Sequence, residues 1–178
     1  GQTLSIDSVN QLAKAGTGVG TIAGGTAKTT TMADLGAVAA GATKDVKLNV
    51  LQTDGTMKEV SLQFTGEDTI DSVIGKLKNE AGMNAFYDEK SGQIALSSKA
   101  TGKGESVTTQ IPDEFGGPGR VSQVDASVTL ADNASEDFFS SLGFNNGKAL
   151  VTGGQNASIT INGATIERTA EDGFVVAI

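Results

Sequence analysis

With 21 acidic and 13 basic residues in 178, the chain carries a net charge of −8. No basic cluster offsets it, so nucleic acid and anionic membrane surfaces are excluded as partners. Cysteine and histidine are both absent, which removes disulfides, thiol chemistry and the commonest general base and metal ligand.

Apolar residues make up 38% of the chain, aromatic residues 4%, and 24 residues are glycine. A core of Val, Ile, Leu and Ala, carried on short strands and many turns, follows from that balance. The length suits one domain or two small ones. No apolar run approaches the ~18 residues of a membrane-spanning helix. Gly1-Gln2 reads as an internal start, so the expectation is a fragment of a longer protein.

In chain order, Leu4, Ile6 and Val9 alternate within residues 3–15, predicting a strand that runs into a turn or helical end near Leu12 and Ala13. Residues 16–31 are Gly-, Thr- and Ala-rich and read as a linker. Glycines at 16, 18 and 20 superficially resemble a dinucleotide loop, but the spacing is wrong and no helix follows. Thr31 to Gly36 reads as a helical turn closed by glycine, and 37–43 as a small-residue connection.

The best-patterned stretch follows. Lys44–Val50 and Lys58–Phe64 alternate on either side of Thr53-Asp54-Gly55-Thr56, a hairpin signature. Ile70, Val73, Ile74, Leu77 and Ala81 fall on one helical face, with Asp68 as the expected cap, Asp71 as its box partner and Gly82 as the stop. Met83, Ala85 and Tyr87, then Ile94 and Leu96, alternate across Asp88–Gly92 and predict a second hairpin. The module 44–98 therefore reads β-β-α-β-β, with the helix laid across the sheet.

Lys99–Gly104 (KATGKG) resembles part of a phosphate-binding loop but lacks its first glycine and the hydroxyl after lysine; a turn is the plain reading. Glu105–Ile111 predicts a strand ended by Pro112, Asp113–Arg120 a loop, and Val121–Leu130 a further strand. Asp132–Phe144 predicts a short helix capped by Asn133 or Ser135, packed through Phe138, Phe139 and Leu142 and stopped by Gly143. The phenylalanines at 138, 139 and 144 read as a core anchor rather than a partner-binding patch. Isoleucines alternating around Asn162-Gly163 predict a hairpin, and Phe174–Ile178 a final strand.

Acids at Glu67-Asp68 and Asp88-Glu89 sit at a helix start and a turn, where capping and solvation account for them. Asp113-Glu114 supplies too few oxygens for calcium. A serine–lysine pair is conceivable, since both residues are plentiful, but no spacing singles one out. The sequons at Asn133 and Asn156 depend on a secretory pathway that nothing here indicates. No catalytic, cofactor-binding or metal-binding residue is nominated, no cofactor is expected, and the chain reads as a non-enzyme.

Taken in order, 9–15, 32–36, 68–73, 84–88, 91–98, 138–143 and 154–163 with Glu167-Arg168-Thr169 resemble the family of flagellar hook-associated protein 2, the bacterial filament cap. Single pieces are shared with flagellins and hook–filament junction proteins; the order favours the cap. The resemblance implies an extracellular protein at the distal filament tip. It would assemble into a ring with itself, guide flagellin, and bear no catalytic residues. A tip-displayed adhesin touching host mucin or a cell surface is the further alternative. The family's heptad-rich terminal segments do not occur in this sequence, which implies outer domains that are monomeric or weakly oligomeric.

The expected fold class is α+β, mainly antiparallel strand with a few short helices, in two small β-rich domains. Residues 1–30 and 145–178 are expected to form one discontinuous subdomain, with 31–144 inserted between them.

Overall fold

A computed structural model describes residues 6–111, 113–161, 164–168 and 174–176. Its elements begin with strands β1 (Ile6–Gln11) and β2 (Ala15–Thr21), helix α1 (Met32–Leu35), and strands β3 (Thr43–Leu51) and β4 (Met57–Thr65). Helix α2 (Ile70–Asn79) precedes strands β5 (Asn84–Asp88), β6 (Gln93–Thr101), β7 (Glu105–Ile111) and β8 (Arg120–Leu130). Helix α3 (Asn133–Ser140) leads to strands β9 (Ala149–Thr152), β10 (Ala157–Ile161), β11 (Ala164–Arg168) and β12 (Phe174–Val176). The chain is a β-rich α+β protein whose described strand pairs are antiparallel.

Two sheets sort these strands. A four-stranded sheet runs β1-β10-β11-β12, and an eight-stranded sheet runs β4-β3-β8-β9-β2-β6-β5, with β7 paired to β8 off that path. The hairpins of the 44–98 module form with the expected turns, but β8, β9 and β2 stand between them. Helix α2 thus joins the two outermost strands, β4 and β5. Its stripe is buried as the spacing requires: Ile70, Val73, Ile74 and Leu77, with Ala81 beyond the helix end, join the core. Each such aliphatic burial is worth about 1.5–3 kcal/mol before entropy is charged against it.

The caps of α2 and α3 differ from expectation. Thr69 caps α2: its hydroxyl accepts from the Ser72 N–H at 3.1 Å, and the Thr69 N–H donates to Ser72 Oγ at 2.8 Å. Serine thus takes the box position three residues on, rather than Asp71. Asp68, one residue outside, accepts from the Thr65 N–H (2.7 Å) and the Ser72 hydroxyl (2.9 Å), bracing the approach to the cap. Helix α3 is capped by Asp132, not Asn133 or Ser135; Ser135 supplies the N–H donor at 2.8 Å. Helix α1 forms as expected, with Thr31 as cap and left-handed Gly36 as stop.

Residues 16–31 are not a linker throughout. Strand β2 lies inside the large sheet between β9 and β6. Its glycines fall at every second position and so share one face, where the neighbours leave no room: a Cβ at Gly16 would press on Ser127, at Gly18 on the Leu150 carbonyl and at Gly20 on the Phe144 ring. Residues 37–43 are also more than a connection, since Ala37 and Val38 are buried.

The aromatic side chains of α3 organise the centre. Phe138 stacks on Phe64 at 4.7 Å between ring centroids, meets Phe139 edge-on at 5.2 Å, and Phe139 meets Phe144 edge-on at 5.6 Å. Those offset and perpendicular arrangements suit the ring quadrupoles. The bond from the Lys47 N–H to Ser135 Oγ (2.8 Å) ties the helix to β3 where β8 has ended.

Strands β2 and β9 lie within 1–30 and 145–178 but hydrogen-bond in the eight-stranded sheet. The chain therefore changes sheet between Gln11 and Ala15 and again between Thr152 and Ala157. The crossings are stitched by Lys14 and Gln155, whose main chains exchange bonds at 2.9 Å in both directions, and by Gln11 Nε2 donating to Asn156 O at 2.5 Å. Strands β10 and β11 pair as the expected hairpin; Asn162-Gly163, Pro112 and Leu4 lie outside the described residues.

Candidate interaction surfaces

Each sequence-level candidate for chemistry has a structural occupation. The three glycines of β2 are packing positions, as above. In Lys99–Gly104, β6 continues to Thr101 and Gly104 turns with φ +79 against the Ala126 carbonyl. Asp113 Oδ1 accepts from the Phe115 N–H at 2.9 Å, which is turn chemistry. Among the described residues no cluster of three or more acidic side chains could hold a metal ion.

The carboxylates have local partners. Burial pushes Asp68 up, but hydrogen bonds from Thr65, Ser72 and Lys76 and the Lys76 charge outweigh it, leaving the group below its ordinary value. Asp88 is held low chiefly by the Ser91 hydroxyl, 2.6 Å away, and Asp132 by the Ser135 hydroxyl and N–H. Burial, and then the nearby Glu89 charge, raises Tyr87, whose hydroxyl donates to Thr26 O at 2.6 Å. The serine hydroxyls at 72, 91 and 135 bond carboxylates rather than lysine amines. Of the sequons, Asn156 is buried, accepting from the Lys103 N–H, and Asn133 opens α3.

What the fold does present is surface. On the outer face of β2-β6-β5, Val19 pairs with Ala95 and Ala95 with Phe86, so the three line up across three strands. Val19 is 53% exposed and Phe86 64%. Lines of hydrogen-bonding residues flank this apolar row: Thr17, Ser97 and Asn84 on one side, and Thr21, Gln93 and Asp88 on the other. The sequence shows Val19 and Phe86 as apolar residues, but their alignment depends on which distant strands pair.

The two ends of the large sheet differ. At β4, the Lys76 amine donates to Gln63 O at 2.7 Å and Asp68 accepts from the Thr65 N–H, so the edge is partly occupied by one side chain of α2 and one just before it. At β5, the main chain of Asn84–Tyr87 bonds to no element but β6 among the described residues.

Two further features stand out. The β7–β8 loop carries Phe115, 94% exposed. A cleft of about 690 Å³ lies between β7 and α3, lined by Thr108, Gln110, Asn133, Glu136, Phe144 and Lys148 among others. Of the three phenylalanines expected as a core anchor, 138 and 139 are fully buried, whereas Phe144 packs on Phe139 and also lines the cleft.

No family model matches the sequence, and no curated protein matches it. Solved structures do: the D2–D3 domains of the flagellar cap protein FliD from Serratia marcescens align over 94% of this chain and 83% of that one, with a TM-score of 0.55 at 16% identity. The fold is that of flagellar cap D2–D3 domains. A second crystal form of the same domains aligns over the same shares at a TM-score of 0.50 and 18% identity. The resemblance read from motif order and the likeness of fold thus converge on the same kind of domain.

Proposed function

We propose that this chain is the outer-domain portion of a bacterial flagellar filament cap: an extracellular structural protein at the distal tip that contacts its own copies and flagellin and promotes flagellin assembly. The observation that carries the reading is the fold likeness over 94% of the chain, supported by the ordered motifs at 68–98, 138–143 and 154–163. No bond is made or broken in this reading, and the carboxylates serve caps and turns. The charge of −8 argues against nucleic acid and anionic lipid partners. No helix among the described residues is long and apolar enough to cross a membrane. We also propose that the two sheets are two folding units, one completed by both ends of the chain.

The test is labelling of the full-length protein on intact cells, together with its deletion. Label confined to filament tips, and flagellin released unpolymerised by the deletion strain, are the expected results. Label along the shaft would replace the cap with a flagellin-like role, and label at the filament base with a junction role. A second reading, a tip-displayed adhesin, draws on the cleft between β7 and α3, whose amide, hydroxyl and charged groups surround one aromatic ring. Failure of the purified chain to bind any glycan or mucin on an array removes it.

A further inference from the structure

Among the described residues, the open edge at β5 and the apolar row behind it have no partner. We propose that β5 pairs antiparallel with β5 of a second copy about a two-fold axis at Phe86, joining the two large sheets edge to edge. Because a two-fold contact closes at two copies, this pairing is separate from the heterologous contact that would close a ring; the inference rests on the cap reading only for its setting, contact between copies.

Three observations converge on a second copy. First, the ends of the large sheet are not equivalent: the β4 edge is partly taken by Lys76 and Asp68, whereas Asn84–Tyr87 offers main-chain groups with no second partner among the described residues. An open edge is a template for another strand. The occupied β4 edge disfavours head-to-tail β4-to-β5 joining.

Second, the strand is complementary to itself. Antiparallel pairing about Phe86 sets Phe86 against Phe86 of the other copy and Asn84 against Asp88, an amide donor against a carboxylate. The rows Val19–Ala95–Phe86 of the two copies then become one continuous apolar row across six strands. Directly opposed side chains in such a pair lie close enough to interact.

Third, charge selects the place. Two molecules of charge −8 repel, so association is favoured where charge is sparse. Of the nine residues forming the apolar row and its two flanking lines, Asp88 alone is charged. Its two-fold partner is the neutral Asn84.

Sedimentation equilibrium of the 178-residue chain over rising concentration is the direct test. A reversible monomer–dimer equilibrium that strengthens with added salt is expected, because screening relieves the mutual repulsion. Phe86→Lys should abolish it. Asn84→Lys, facing Asp88, should tighten it roughly two- to ten-fold, and Asn84→Asp should weaken it by a similar factor, since each pair occurs twice.

Because the chain has no cysteine, Phe86→Cys gives a single thiol that mild oxidation should convert to a disulfide dimer. Ser61→Cys on β4 should stay monomeric under the same treatment. A monomer at every concentration, a dimer indifferent to Phe86→Lys, or equal cross-linking of the two cysteine variants would overturn the pairing. Location at the filament tip is read separately by labelling, so the failure of one does not stand for failure of the other.

Discussion

Gly18 lies so close to the main chain of Leu150 that a Cβ there would overlap the Leu150 carbonyl oxygen. The contact is backbone on one side, so no rotamer change relieves it. Gly18→Ala is therefore expected to cost about 1–3 kcal/mol or more by overpacking. Urea denaturation should show a lower midpoint with an unchanged slope. A wild-type midpoint would mean that β9 can shift away at little cost.

Strand β2 also shows where sequence reading reaches its limit. The hairpins around 53–56 and 88–92 and the stripe of α2 are legible, because side chains that must be buried recur with the period of the element holding them. Strand β2 has no such signal: its inward positions are glycines, silent on any hydrophobicity scale. Their recurrence at 16, 18 and 20 is itself a period of two, the mark of one strand face, and is the sign by which the strand can be found. Cap choice at α2 and α3 differs from the sequence pattern for a different reason. Asp68 beside Thr69, and Asp132 beside Asn133, are both capable caps, and only backbone geometry selects between neighbours.

Gly75 is the counterpart of Gly18. It lies inside α2 with nothing within 4 Å of a Cβ built on it. Gly75→Ala should stabilise the protein by about 0.5–1 kcal/mol, through reduced freedom of the unfolded chain and better helix propensity. A raised thermal midpoint measures it; a lowered one would show that α2 needs its glycine for close packing against a neighbour.

Asp68 gives the pH dependence its sign. Its carboxyl is held below the ordinary value of 3.8 by hydrogen bonds and by Lys76, 3.3 Å away, which outweigh its burial. A group with a depressed folded pKa contributes stability that is fully present above its unfolded value and is lost as pH falls through the folded one. Stability should therefore hold from neutrality down to about pH 5 and fall below about pH 4. Asp132 and Asp88, also held low, add to the same fall. Asp68→Asn should lower stability at pH 7 by about 1–2 kcal/mol and flatten its dependence between pH 5 and 3. An unchanged slope in the variant would assign the acid loss to other carboxylates.

The candidate surfaces were less legible than the core. Phe86 and Val19 are separated by most of the module, and what makes them neighbours is the register of β2 with β6 and of β6 with β5. Pairing between strands so far apart in the chain is set by the whole sheet rather than by local pattern. The same holds for the two sheet edges: the difference between them arises from Lys76 reaching Gln63 O across thirteen residues.

Among the described residues, hydrogen bonds between the two sheets cluster at the seam where the chain passes from one to the other. Lys14 and Gln155 join through their main chains, Gln11 donates to Asn156 O, and Asn156 Oδ1 accepts from the Lys103 N–H at 3.2 Å while being 5% exposed. Because those cross-links are local, the smaller sheet is expected to open without unfolding the larger. Native-state hydrogen exchange is expected to give amides of β10 and β11 a lower opening free energy than those of β3, β8 and β9. Asn156→Ala removes the buried acceptor for Lys103 and should lower protection at the seam and in β10 by about 1–3 kcal/mol, leaving the strands around Phe64 and Phe138 near their wild-type values. One common opening energy for all strands, shifted uniformly by Asn156→Ala, would instead make the two sheets a single cooperative unit.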